Sequence, residues 1–344
     1  MHLFSGVSMR RSILKWFALF LLGCFIPFVS VACNTPQAST SSGTSVSAKP
    51  LFVGTSPWAG FQGQYIAAAK DFFSTEGIKV EEQYFQSSSE VNTALVAGKL
   101  DLGWIGGTDL ITLVAQDPSL KVIMLSDYSN GADGIIARGV TKPEDLRGKT
   151  FAREDTPFEL VFVGEYLKQG GLTEQDVKIV SLSAADSATA FASGKVDAAA
   201  TYEPFLTKAV KEGKGEIVFT TKDTNIIPNV LAARGEVLEQ RRDEVLAYMR
   251  AIGKGVDLAS SNPTEAAEIV AQKLGVTPEE IPAQLAGIKT FDIAGNKAMP
   301  FNANDPLYLQ TSFESAVQIL YDTGKISNRV DPASLIDDSL IQSL

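Results

Sequence analysis

Hydroxyl, amide and aromatic side chains recur in this sequence at the ends of short apolar runs, and their chemistry is that of holding a molecule through hydrogen bonds and ring contacts. Ser56, Trp58 and Gly60 lie in a turn-forming stretch directly after the apolar run 50–54. Ser87 and Ser88 open a helical pattern, where hydroxyls and free backbone N–H groups can hold an anionic group or simply cap the helix. Gly107 and Thr108 follow a second apolar run, and the pair Gly106-Gly107 permits close approach by a ligand or by a neighbouring loop. Asn130 precedes Gly131 in a strong turn signal and is a further ligand candidate. Arg153 can pair with a ligand anion, or with Glu154, Asp155 or another carboxylate. Thr156 is a helix cap or a ligand contact. Tyr202 can stack or donate, and Glu203 can accept from an ammonium or amide N–H or stay solvated.

The inventory of reactive groups is short. The one histidine is His2, and the two cysteines are Cys24 and Cys33. Over the remainder of the chain, Ser-His-Asp and Cys-His catalysis, thiolate chemistry and His/Cys metal sites are excluded, and no disulfide framework can hold the fold. Carboxylate-pair chemistry or an oxygen-ligated metal stays open, but no EF-hand loop, P-loop or GxGxxG fingerprint occurs, so no cofactor is expected.

A stretch that occurs twice positions these residues. TALVAGKLDLGWIGGTDL begins at Thr93 and TAFASGKVDAAATYEPFL at Thr189. In each, an apolar helix ends on a glycine, Gly98 or Gly194, suited to the left-handed conformation that stops a helix. Lys99 or Lys195 follows, then Leu100-Asp101 or Val196-Asp197, then a run of small and apolar residues suited to a buried strand. Upstream, 80–85 and 177–182 read as strands entering serine-bearing loops. Strand, polar loop, helix, Gly-Lys, strand is a parallel βαβ unit. Repeated frameworks with different strand ends fit two α/β lobes that hold one ligand between them, although βαβ units also resemble each other for purely physical reasons.

At 344 residues the chain has room for two domains, and its 45 % hydrophobic content suits a globular protein. The expected elements in order are a strand over 50–54, a helix over 61–73, and the first repeat. A helix over 109–115 and strands over 121–127 and 134–138 follow, the two strands joined by a tight turn at Asn130-Gly131. A short capped helix at 141–148 leads to a strand over 150–152 and a helix to 168, then the second repeat. From 229 onward one strand, 230–233, and helices over 236–258, 263–274 and 306–322 complete the first lobe. The organisation is a signal peptide at 1–32, a tether at 33–49, first lobe at 50–137, second lobe at 138–227, and first-lobe completion at 228–344.

Arg10, Arg11 and Lys15 precede an apolar run from 16 to 31, the pattern of a secretory signal. Cys24 and Cys33 both resemble lipobox cysteines of bacterial lipoproteins. Leu21-Leu22-Gly23-Cys24 matches better locally; Cys33 leaves a polar Ser/Thr-rich tether instead of a greasy one and is preferred. Beyond residue 32 the chain carries 27 basic and 40 acidic residues, a net charge of −13. That acidity argues against nucleic-acid binding.

The order SPWAGFQGQYIAAAKDFFSTEGIKV, AGKLD, SNGADGIIAR, DLRGKT, GLTEQDVKIV, SGKVDAAATYEPF resembles the substrate-binding lipoproteins of bacterial ABC importers. More narrowly, it is similar to the group serving nitrate, aliphatic sulfonates, taurine and thiamine precursors. The resemblance implies a type II periplasmic-binding-protein fold with two hinge crossovers. It also implies a small-molecule ligand, a permease with its ATPase as partners, and a monomer anchored on the extracytoplasmic side of a membrane through an N-terminal lipid. It places ligand loops at Ser56, Trp58, Ser87, Gly107, Thr108, Asn130, Thr156, Tyr202 and Glu203. Glu203 favours a ligand amine, while the serines with Arg153 favour an anionic end; an amino-sulfonate zwitterion satisfies both. An enzyme on the same fold and a ligand-presenting sensor are the alternatives.

Overall fold

The structure, a computed structural model, describes residues 49–344 except 223 and 225. The signal segment, most of the tether and both cysteines lie outside the described residues. In chain order the strands are β1 (Leu51–Thr55), β2 (Val80–Tyr84), β3 (Leu102–Gly106), β4 (Lys121–Ser129), β5 (Asp133–Ala137), β6 (Thr150–Arg153), β7 (Lys178–Ser181), β8 (Ala198–Tyr202), β9 (Glu216–Thr220), β10 (Pro228–Ala233) and β11 (Ile288–Thr290). They form a six-stranded sheet in the order β11-β4-β10-β3-β1-β2 and a five-stranded sheet in the order β7-β6-β8-β5-β9.

The duplicated stretch folds the same way twice. β2 and β3 flank β1 and run parallel to it, and β7 and β8 flank β6 in the same manner. The intervening helices, Ser88–Val96 and Ala184–Ala192, start on Ser87 and Ser183, whose hydroxyls accept from the N–H of Glu90 and Asp186. They end at Gly98 and Gly194, with φ of +70° and +77°, where a side chain would be strained. The repeated aspartate has a specific task. Asp101 Oδ2 accepts from Phe52 N at 3.0 Å and Asp197 Oδ2 from Thr150 N at 2.8 Å, so each carboxylate ties the repeat to the strand that its own strands flank, β1 or β6.

Two crossovers connect the sheets, one from β4 to β5 and one from β9 to β10. Each delivers a strand that runs antiparallel to its neighbours: β10 between β3 and β4, and β5 between β8 and β9. This corrects the turn expected at Asn130-Gly131. β4 and β5 belong to different sheets, so 130–132 is a passage between them and not a hairpin. The first-lobe boundary at 137 is corrected with it, because β5 is bonded in the second sheet. A local turn signal carries no information on the partner a strand will choose, which is a tertiary matter.

The first sheet is completed from the C-terminal third. The helix Arg242–Ser261 packs on Gln62–Ala69 so closely that a Cβ on Gly255 would overlap the Gly63 carbonyl. Trp104 on β3 donates to Tyr248 Oη at 2.8 Å, and Tyr248 stacks on Phe73 at 5.3 Å. The helix expected over 61–73 is interrupted at Asp71, whose φ is +58°, giving Gln62–Ala69 and Phe72–Thr75. The helix expected over 236–258 is divided at Arg241, which reaches Asp101 and Glu244. β9 and β11 are additions to the expected elements.

Candidate functional site

The C-terminal ends of β1, β3, β6 and β8 converge where the two sheets face each other, the place where open parallel sheets bind ligands. A cavity of ≈ 20 Å³ lies there, lined among others by Ser56, Trp58, Ser88, Asp133, Tyr202 and Asn229. Trp58, from the first sheet, meets Tyr202, from the second, edge to face at 5.9 Å. Phe158 stands against the other side of Tyr202 at 6.3 Å. Trp58 is held by its ring nitrogen, which donates to both oxygens of the buried Asp127 at 3.2 and 3.1 Å, while Asn229 Nδ2 donates to the same carboxylate at 2.8 Å.

Carboxylates also join the sheets to each other. Glu154, just after β6, accepts from Ser89 N at 3.0 Å, the start of a helix on the opposite sheet. Asp109, in the helix Gly107–Leu113, accepts from Phe158 N at 3.0 Å, the start of the helix Pro157–Gln169 on the other side. Each half thus supplies a negative group to the positive end of a helix in the other half. Asn92 donates to Asp109 at 2.6 Å and fixes its second oxygen.

The electrostatics of this region are dominated by buried acids. Burial pushes Asp109, Asp127 and Asp133 each up to about 7. Donors offset part of the effect: Asn92 and Phe158 for Asp109, Asn229, Trp58 and Ser126 for Asp127, Ser129 for Asp133. Asp127 and Glu203 raise Asp133 further by like charge. Burial raises Glu154 and, more strongly, Glu159, where the Glu154 charge adds to it. Asp133 Oδ2, Glu154 Oε2, Glu159 Oε1 and the hydroxyls of Thr108, Thr156 and Tyr202 are buried without a hydrogen-bond partner.

The expected residues divide among several places. Ser56, Trp58, Ser88 and Tyr202 line the cavity, with the Ser56 and Ser88 hydroxyls 3.5 Å apart. Thr108, in the helix Gly107–Leu113, and Thr156, the residue before the helix Pro157–Gln169, are buried outside that lining, and Thr156 lines a separate cavity of ≈ 190 Å³ with Thr112 and Asp155. Ser87 caps its helix. Gly60 makes room, since a Cβ there would overlap Asp127 and the Trp58 ring nitrogen, and Gly107 does the same for Pro228 and Phe313. Asn130 lies in the passage between the sheets, its N–H donating to Gly287 O at 2.7 Å. Arg153 turns away to Glu174, at 2.6 and 3.0 Å, and to Asp155 at 3.3 Å, so the cation proposed for an anionic ligand end is committed elsewhere. Glu203 accepts from Thr207 N at 3.2 Å and Oγ1 at 2.6 Å and lines a separate groove of ≈ 660 Å³ with Lys208 and Lys211.

The residues sequence reasoning passed over are mostly acids: Asp109, Asp127, Asp133, Glu154 and Glu159, with Asn229. Asp127 and Asp133 carry a visible signal, a carboxylate at the end of an apolar strand flanking the Asn130 passage. Glu159, in the first turn of its helix three residues after Thr156, carries the signal of a helix start but none of burial.

A family model described as "NMT1/THI5 like" matches residues 58–266. A protein of Bacillus subtilis (strain 168) named for binding aliphatic sulfonates is 30 % identical over 204 residues, 58 % of this chain and 61 % of that protein. The chain therefore spans less than two thirds of that relative. Among solved structures, the periplasmic aliphatic sulphonate binding protein SsuA from Escherichia coli superposes with a TM-score of 0.69 at 20 % identity, over 85 % of this chain and 93 % of the other. The desulfurization enzyme DSZB superposes with a TM-score of 0.61 at 15 % identity, over 86 % and 98 %. The two-lobed α/β fold is thus shared with binding proteins and with at least one enzyme.

Proposed function

The chain belongs to the NMT1/THI5-like family, and on that premise we propose that it is the extracytoplasmic solute-binding component of an ABC importer. It closes two lobes on a small polar organic solute and hands that solute to a permease driven by its ATPase. The observation that supports this best is the small cavity, lined by aromatic and polar side chains, between two sheets joined by two crossovers, where an aromatic side chain from each sheet meets the other. Ser56, Trp58, Ser88, Thr108, Thr156 and Tyr202 are the residues assigned to the ligand, with Asp133 and Asn229 added from the cavity lining.

Retention without chemistry is the core of this reading. No histidine or cysteine stands at the site, and among the described residues no three acids, histidines or cysteines are grouped to hold a metal ion. Anchoring follows from Cys33, with Cys24 as the alternative, after removal of residues 1–32, and the tether 33–49 carries a monomer on the outer side of the membrane. Among the described residues no helix is long and apolar enough to cross a membrane. Isothermal titration of the soluble chain tests the reading: one solute bound per chain and recovered unchanged supports it, and turnover of the solute refutes it.

A further inference from the structure

Among the described residues the one charged side chain that lines the cavity is an acid, Asp133. We propose that the cleft selects a small organic cation, a protonated amine or amidine on an aromatic body, and rejects anions; this rests on the solute-binding reading above. Two helix N-termini point into the region, the feature that would ordinarily receive a sulfonate or nitrate. Both are already taken by the protein's own carboxylates, Glu154 on Ser89 N and Asp109 on Phe158 N. Arg153, the basic residue at these strand ends, is bonded to Glu174 and Asp155. Among the described residues no lysine or arginine lines the cavity.

What remains unpaired there is a carboxylate oxygen together with a hydroxyl that can donate or accept. Asp133, 4 % exposed, lines the cavity with Oδ2 free, and Tyr202, also 4 % exposed, lines it with its hydroxyl free. Glu154 and Glu159, outside that lining, keep one unpaired oxygen each, and their charges, with that of Asp133, bear on Tyr202. A buried carboxylate oxygen needs a donor, and an ammonium or amidinium supplies several at once together with the neutralising charge. Trp58, Phe61, Phe158 and Tyr202 give the walls aromatic faces, which attract a cation and pack its apolar body. Among the described residues no three acids, histidines or cysteines are grouped to hold a metal ion, and the aromatic walls favour an organic cation. The cavity holds about one water as it stands, so the ligand enters with the two helix-end contacts and the Trp58–Tyr202 contact parted.

The test uses two probes with one ring and opposite charge, benzamidine and benzenesulfonate, titrated calorimetrically at pH 8 into the chain freed of carried ligand. Benzamidine is expected to bind at least about tenfold more tightly. Asp133→Asn should weaken benzamidine by a similar factor while melting no lower than the parent, which separates lost recognition from lost folding. Benzenesulfonate binding as tightly as benzamidine, absence of benzamidine binding, or unchanged benzamidine affinity in D133N would each overturn the proposal. Stoichiometric benzenesulfonate binding would do so while leaving the solute-binding reading intact. A solute found chemically altered by native mass spectrometry would instead sink that reading and leave charge selection standing.

Discussion

Replacing Asp133 by asparagine removes a buried carboxylate at constant size, and its effect on stability should depend on pH. The unfolded chain releases this proton near pH 4, whereas burial holds it on the folded protein up to about 7. Between those values the folded state binds more protons than the unfolded one, so the parent loses stability as pH rises from 4 to 7 and levels off above. Three pH units at about 1.4 kcal/mol each give roughly 4 kcal/mol as the upper bound on that loss. Asp127, Glu203, Glu159 and Tyr202 face the same carboxyl and share its proton equilibria. A gain of about 2 kcal/mol in the variant at pH 8 is therefore expected. At pH 4.5, where Asp133 is neutral in the folded state and the unfolded carboxyl is little past its own midpoint, the two proteins should agree within about 1 kcal/mol. Urea unfolding followed by tryptophan fluorescence at the two pH values reads both quantities. A variant less stable than the parent at pH 8, or a difference equal at both pH values, would refute the reasoning.

Trp58→Phe keeps the ring but withdraws a donor from the buried Asp127, which retains Asn229; a loss of about 2 kcal/mol is expected, and an unchanged urea midpoint would contradict it. Gly107→Ala places a Cβ 2.9 Å from Pro228 Cγ and 3.0 Å from Phe313, so calorimetric melting should show a cost of about 1–3 kcal/mol. Asp101→Ala and Asp197→Ala each strip an acceptor from the strand that the repeat flanks, β1 or β6, at about 1–2 kcal/mol. Asp101 should cost more because it also pairs with Arg241 at 3.1 Å, and the reverse order in denaturation would argue against equivalent roles. Asp109→Ala frees Phe158 N and one helix-end contact between the sheets; small-angle scattering should report a larger radius of gyration without ligand, and an unaltered profile would count against the contact as a latch.

The duplicated stretch was readable because its signals are local. A glycine forced to positive φ at Gly98 and Gly194, a serine cap, and an apolar run for the following strand each act within a few residues. Ser56, Trp58, Ser88 and Tyr202 come to line the cavity for a related reason: they sit at strand ends, and the apolar runs mark where strands end. Partner choice was not local. The Asn130-Gly131 signal favours a hairpin, yet β5 finds β8 and β9, because the five-stranded sheet offers two bonding edges where a hairpin offers one. The buried acids were hidden for a different reason. An aspartate such as Asp127 is ordinarily a surface residue, and only the arrival of Trp58 and Asn229 from distant parts of the chain makes its burial tolerable. Arg153 shows the converse, a residue ambiguous in sequence whose distant partner, Glu174, settles its orientation.

Native mass spectrometry of the chain purified without dialysis tests the central claim most directly. One small organic solute per chain is expected, released on partial unfolding with its mass unchanged and rebound on refolding. A chain that carries no solute and binds none, or that returns the solute with a bond made or broken, would contradict it.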